Sequence, residues 1–334
     1  MKEAKRWLPG AVISILLIAA ILYFVDLRAM VAAIRHANYR ILAGAAALSF
    51  VWMVVRAKVW QTLLRDKPKY RDVLFSASEG YLLNTFLPFR LGEVGRAFLL
   101  SRKSGMTFSE ILPTIIIERV VDLAFSAAIL LSALPYVADT QSSERIGYIV
   151  GAVVIAGLVM MYVLARNNQW ALTAFHKLSM RLPFLQKFGG SFLESFLDGL
   201  GVLTNGWLFI RFLFWMSLDW LIALVAYYLI MLAFFPQAQP EWTLFVVGAA
   251  AFGGAIPALP GAVGTFEGAV SAALFVFTKD QSTSLAVALT ARLYNYLNSG
   301  VIGGIALARE GETLSGIYQQ LKNLRSKESE PTGI

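Results

Sequence analysis

Leu87-Pro88-Phe89-Arg90-Leu91-Gly92 and Pro257-Ala258-Leu259-Pro260-Gly261-Ala262-Val263-Gly264 each break an apolar stretch near its middle. The first lies within residues 73–101 and the second within 242–278. Proline removes a backbone donor and clashes with the preceding turn, and glycine lets the chain reverse. Each half is then about 10–15 residues long, short of the ~20 needed to cross a hydrocarbon core. Both segments therefore read as re-entrant helical hairpins. Pro88 and Gly92 break the first; Pro257, Pro260, Gly261 and Gly264 break the second. Irregular backbone at membrane depth survives only where protein or a water-filled cavity satisfies its polar groups.

Around these two breaks the chain reads as an all-α polytopic membrane protein. Its 334 residues are 57% hydrophobic and 15% charged, with a mean hydropathy of +0.63. A soluble protein of this length needs more charge to cover its surface. Six segments have the length and composition to span: about 8–25, 39–64, 111–136, 146–165, 207–235 and 284–308. The first resembles a signal peptide, but its apolar run is long and no small-x-small cleavage site precedes Asp26, so it reads as a retained helix. Cysteine is absent, which excludes disulfides, thiolate zinc sites and cysteine nucleophiles. His36 and His176 are far apart, so no metal site is expected. The net charge of +8 is accounted for by basic residues gathering on the cytoplasmic side of a membrane, not by nucleic acid.

Charge placement orients the layout. With the N-terminus inside, Lys2, Lys5, Arg6, Arg65, Lys67, Lys69, Arg71, Arg102, Lys103, Arg166, Lys177, Arg181, Lys187, Arg309, Lys322, Arg325 and Lys327 are cytoplasmic. Only Arg28, Arg35, Arg40, Arg145 and Lys279 are outside. The excess inside is the expected bias, and it requires both broken segments to return to the side they entered. The result is a single membrane domain over 1–325 with two inverted halves, about 1–136 and 146–308. Sequence echoes match: Leu87-Pro88 with Gly92 against Leu259-Pro260 with Gly264, and Arg119 with Asp122 against Arg292 with Asn295. Trp52-Met53 with Arg56 matches Trp215-Met216 with Asp219. Inverted repeats with broken helices at the midplane are a common transporter design. Residues 166–206 read as a cytoplasmic connection, either an amphipathic surface stretch or a packed loop. Residues 326–334 read as a disordered tail.

Ionisable groups inside a membrane are functional candidates by default. Hairpin one supplies Glu79, Asn84, Arg90, Glu93 and Arg96, with Glu93 and Arg96 spaced to pair on one helix face. The next spanning helix supplies Glu118, Arg119 and Asp122. A third group is Asp219, Glu267 and Arg292 with Asn295, and Arg56 stands with Lys58 in the second helix. Each group reads either as a structural clamp or as a headgroup and proton site. No P-loop, H-E-x-x-H or G-x-S-x-G occurs, so the pattern gives no sign of ATP hydrolysis or of these hydrolase chemistries, and no cofactor is expected.

The run Asn84-Thr85-Phe86-Leu87-Pro88-Phe89-Arg90-Leu91-Gly92-Glu93-Val94-Gly95-Arg96 resembles the first signature of the lysylphosphatidylglycerol synthase transmembrane-region, or flippase-like, family. Glu118-Arg119-Val120-Val121-Asp122 is similar to its next motif. The stretch from Pro257 to Glu267 looks like its proline-glycine motif, with Pro-Gly-Ala where many relatives have Pro-Gly-Gly, and Arg292-Leu293-Tyr294-Asn295-Tyr296 resembles its closing motif. The resemblance covers roughly residues 8–308. It implies translocation of a lipid or lipid-linked amphiphile, such as a lipid-linked glycan, in a prokaryotic plasma membrane. No aminoacyl-transferase domain is expected beside the segment. Two other functions remain as expectations: a membrane anchor for a lipid-modifying or glycosylating enzyme, and an intramembrane headgroup transferase. Oligomeric state is not legible.

Overall fold

The computed structural model describes residues 26–87, 90–137, 204–256 and 260–311, with scattered residues at 149–173 and 313–319. Nine α-helices are described: α1 (Leu27–His36), α2 (Tyr39–Leu63), α3 (Tyr70–Phe86), α4 (Leu91–Ser104), α5 (Phe108–Val137), α6 (Gly206–Phe234), α7 (Pro240–Ala255), α8 (Thr265–Thr278) and α9 (Gln281–Glu310). The expected span at 8–25, the connection over 174–203, the tail, Pro88 and Pro257 lie outside the described residues. The described residues between 149 and 163 are helical, where a span over 146–165 is expected.

Helix starts follow side-chain chemistry. Asn38 accepts from Arg40 and Ile41 N–H groups and so caps α2. Asn205 and Asp280 do the same for α6 and α9. Thr107 and Glu110 form a reciprocal box at the start of α5, satisfying donors the helix leaves free. Gly105 and Gly311, both at positive φ, end α4 and α9.

Among the described residues three helices, α2, α5 and α6, are long and apolar enough to cross a membrane. Most of their surface is unburied: Val51, Val54, Leu123, Phe214 and Leu221 point outward, as lipid-facing side chains do. α9 is 30 residues long, ample to span by length, but its Ser, Thr, Asn and Gly content lowers its hydropathy below the other three. α1 occupies what reads in the sequence as an outside segment. It is capped by Asp26 and tied to α9 through the Asp26 N–H and Ser282 Oγ.

Both broken segments fold as helix, break, helix. α3 and α4 pack against each other, and so do α7 and α8. The arms run 14 to 17 residues, slightly longer than expected yet still short of a span. Glycine sets the approach of the first pair: a Cβ on Gly80 would lie 2.6 Å from Arg96 Cβ, and one on Gly92 would overlap the Gly80 carbonyl. In the second pair, a Cβ on Gly253 would meet the side chain of Ala269. Such small-residue contacts let helices pack closely where lipid supplies no hydrophobic drive.

The helices interleave. The first arm of hairpin one, α3, packs on α9, while the first arm of hairpin two, α7, packs on α5. The two long helices α2 and α6 pack along each other. Buried Val59, Leu63, Ile117, Val121, Phe212 and Met216 join α2, α5 and α6 into one core.

Gly92→Ala should lower the thermal unfolding midpoint in detergent, with a cost of at least about 1–3 kcal/mol from overpacking. Gly300, in α9 with open space around it, is the control: Gly300→Ala should leave the midpoint unchanged or raise it slightly.

Candidate functional site

The centre of the molecule is a buried ionic network. Arg56, on α2, is 3% exposed. Its guanidinium donates 2.9 Å to Asp122 Oδ1 and 3.1 Å to Asp219 Oδ2. It also pairs at 2.9 Å with Glu118 Oε1 and closely with Asp122 Oδ2. Its Nε donates 3.1 Å to the Tyr81 hydroxyl. Asp122 and Glu118 come from α5 and Asp219 from α6, so one cation holds three carboxylates from two neighbouring helices.

The network extends into hairpin one. Arg96 Nη2 donates to Glu93 Oε2 at 2.9 Å, the spacing expected within α4, and both terminal nitrogens reach Glu118 Oε1 at 3.3–3.4 Å. The Arg96 guanidinium lies 4.7 Å over the Trp60 ring, a favourable cation–π placement. Arg119 pairs with Glu118 at 2.5 Å, with Asp122 at 3.3 Å and with Glu93 at 3.7 Å, and donates 3.4 Å to Tyr81. At 28% side-chain exposure, Arg119 is the open member, with Glu93 at 16% and Asp122 at 15% next. Arg90, at the tip of hairpin one, adopts a left-handed backbone (φ 53°) and donates 2.6 Å to the Gly254 carbonyl. The two hairpin tips thus touch. Asn84 holds the first break by accepting from Gly92 N–H at 2.8 Å.

Hairpin two is closed by a separate clamp. Arg292, on α9, grips Glu267 with two bonds, Nε to Oε1 at 2.7 Å and Nη2 to Oε2 at 2.9 Å. Its remaining donors take the Gly261 carbonyl and, at 3.0 Å, the Ala262 carbonyl. Glu267 Oε2 also accepts from Gly264 N–H at 2.8 Å. The guanidinium stacks 4.4 Å from Phe266 and 5.6 Å from Tyr296. Gly261 (φ 70°) and Gly264 (φ 90°) supply the turn. Breaking a helix frees carbonyls, and in an apolar setting each must find a donor; Arg292 satisfies two.

A family model for the lysylphosphatidylglycerol synthase transmembrane region matches residues 7–303. The chain belongs to this family. A UPF0104 membrane protein of Methanothermobacter thermautotrophicus is 23% identical over 338 residues, covering 98% of this chain and all of that protein. No solved structure matches. The network and the clamp both lie inside the span the family model matches.

The geometry regroups the residues singled out in the sequence. Asp219, grouped there with Glu267 and Arg292, instead joins Arg56 across the α2–α6 interface. Arg56 and Asp219 are the two members of the Trp52/Trp215 echo, so the echoed residues pair with one another. Glu79 leaves the network: its fully buried carboxylate pairs at 2.8 Å with Lys103, which also meets Glu310 at 2.7 Å. Asn295 is linked to the Tyr227 hydroxyl. Pro260 and Gly261 sit in a short 3-10 turn. Lys58 pairs at 3.4 Å with Asp66 at the end of α2, away from Arg56's partners. Reading the sequence misses Tyr81, Trp60, Lys103 and Glu310. Tyr81 lies two residues past Glu79, but a lone tyrosine in an apolar helix carries no distinguishing signal. Among the described residues no cluster of His, Asp and Glu could hold a metal ion.

Glu267→Ala should strip Arg292 of its carboxylate and lower stability by about 3–5 kcal/mol, the cost of orphaning one member of a buried pair. Lys67→Ala, at the exposed Lys67–Glu110 pair, should change it by about 0–1 kcal/mol. Thermal denaturation of both purified variants checks the contrast.

Proposed function

We propose that the protein moves a lipid or lipid-linked amphiphile across a prokaryotic plasma membrane without hydrolysing ATP, and that it is a translocator and not an enzyme. The observation that carries this reading is the buried charged network that runs into hairpin one, whose tip touches hairpin two. Ion pairs are expensive to bury in an apolar environment, and well-packed apolar residues often stabilise as well or better. Stability alone is a weak reason to keep three arginines and four carboxylates there. A charged headgroup crossing the membrane needs a polar path between the faces, and such residues inside a membrane mark one.

The division of labour follows from exposure. Arg292 has its donors taken by Glu267 and two carbonyls, so it holds the hairpin and does not meet a ligand. Arg56 and Arg96 are buried among carboxylates. Arg119, partly open, and Arg90, exposed at the tip, are the two cations placed to receive an anionic or zwitterionic headgroup, through charge-assisted bonds. Family membership supports a lipid-related role.

An inverted repeat fits this reading. In this scheme six spanning helices, with α9 the last, surround two re-entrant hairpins, and both termini are cytoplasmic. Several observations support it. α3 packs on α9 as α7 packs on α5, and α2 and α6 face each other. The second arm of each hairpin begins at a positive-φ cap, Arg90 or Gly264, with a glutamate at its third position, Glu93 or Glu267. Each glutamate meets an arginine of a later helix, Arg119 or Arg292. This equivalence is offset by two residues from the Gly92–Gly264 echo. Rocking of one half against the other would then open the hairpin tips alternately to each side.

In proteoliposomes carrying fluorescent phosphatidylglycerol or phosphatidylethanolamine, the protein should speed exchange between leaflets. Arg119→Ala and Arg90→Ala should each slow it about tenfold to a hundredfold, the worth of one lost charge-assisted bond, with the fold intact by circular dichroism. Unchanged exchange in both well-folded variants would refute the site.

A further inference from the structure

The charges of the network do not balance within it. Arg56, Arg96 and Arg119 face Glu93, Glu118, Asp122 and Asp219 through the ion pairs above, three cations against four carboxylates. Arg90 adds its field from the tip but bonds to the Gly254 carbonyl. The surplus has a place. Asp219 is 2% exposed, and its Oδ2 takes Arg56 while its Oδ1 is buried without a partner. Glu118 also leaves one oxygen unpartnered, but its other oxygen is shared by Arg56, Arg96 and Arg119. Asp219 has one cation only, and that cation is divided among three acids.

What faces Asp219 is known from each side. α2 gives Arg56, and α5 gives Glu118 and Asp122 as the other two claimants on that guanidinium. Met216, one turn earlier on α6, lies 3.9 Å from Arg56 Nη1. Among the described residues α1, α7 and α9, the other helices against α6, place no ionisable side chain in hydrogen-bond or ion-pair contact with Asp219. An isolated buried carboxylate is costly, and a proton on Oδ1 removes the surplus charge and leaves a neutral acid that is cheaper to bury.

We propose that Asp219 takes up and releases a proton in each transport cycle, which couples lipid movement to the proton gradient. The inference rests on the translocation reading and adds its energy source. On uptake, a proton from water forms an O–H bond at Oδ1 and the carboxylate becomes the neutral acid. On release that bond breaks and its electron pair returns to the oxygen. The mechanical consequence is selective. A neutral Asp219 weakens the tie between α2 and α6, while Arg56 stays paired with Asp122 and Glu118 on α5. The proton therefore decides whether Arg56 binds α6 to the α2–α5 pair. The open rim of the network, Arg119 with Glu93 and Asp122, is the side from which water reaches it.

Two measurements on the full chain test this. In lipid nanodiscs, infrared difference spectra across pH should show a protonated carboxyl band in wild type that is missing in Asp219→Asn and shifted in Asp219→Glu. In proteoliposomes with labelled phosphatidylglycerol and an internal pH dye, one pH unit of gradient should shift the leaflet ratio by up to about tenfold if one proton accompanies one lipid, since a pH unit is a factor of ten in proton activity. Proton flux should accompany the lipid. Asp219→Asn should lose the shift and the flux, and Asp219→Glu should restore both. Absence of the titrating band overturns the proton site. Lipid movement indifferent to the gradient, or a gradient response kept by a folded Asp219→Asn, overturns the coupling. If no lipid moves, the translocation reading falls and the coupling with it, while the infrared band still reports whether Asp219 holds a proton.

Discussion

Everything near the centre of this protein hangs on the Arg56 guanidinium. It is buried, flat and always charged, and it is divided among three carboxylates and a tyrosine hydroxyl. Through it α2 is joined to α5 and α6. Through Glu118, the carboxylate it shares with Arg96 and Arg119, the same set of bonds reaches hairpin one. Apolar helices in lipid have little reason to choose one neighbour over another, since tails and leucines are equally good company. The packing of Val59, Ile117 and Phe212 fills the interface well, but many rotations of α6 would bury similar area. Only one brings Asp219 to Arg56. The ionic contacts thus select the arrangement that the apolar contacts then fill.

Much of this was legible in the sequence, and the parts that were not share one cause. Helix breaks declare themselves through Pro and Gly, and short arms through their length, so both hairpins were readable as helix, break, helix. Pairs within one helix were readable from spacing: Glu93 with Arg96, and Arg119 with Asp122. Arg292 and Glu267 were grouped correctly because each sits beside a recognisable break or its sequence echo. Contacts between helices were not readable, because they depend on which faces meet. Arg56 and Asp219 are 163 positions apart, and the echo that relates them says they are equivalent without saying they touch. Glu79 looked like part of the hairpin cluster because it is near in sequence, yet it points to the other side of α3, to Lys103. α1 is far too short to span, so its sequence marks it only as part of an outside segment.

α9 shows a different limit. Its length suits a spanning helix, but its polar residues are used inward: Tyr294 donates to the Leu42 carbonyl, Asn298 to the Ser49 carbonyl, and Arg292 to hairpin two. A helix that supplies the bonds other segments lack reads as too polar for a membrane when judged alone. Its outward residues Leu289, Leu293, Leu297, Val301 and Ile305 are apolar and exposed.

The two hairpins close by unlike means. The turn of hairpin two has its carbonyls and its cap bound by Arg292 and Glu267, side chains anchored in α9 and α8. The turn of hairpin one is held by Asn84, near the end of α3, and among its described residues Arg90 leans outward on a carbonyl belonging to its neighbour. One tip is therefore braced from behind, and the other rests on it. In mechanical terms hairpin two is a fulcrum and hairpin one a lever arm. Exchanging the hydrogen bond at Gly254 frees the lever's tip without undoing the Arg292–Glu267 clamp that holds the fulcrum, while Arg96 and Glu93 keep its second arm tied to α5.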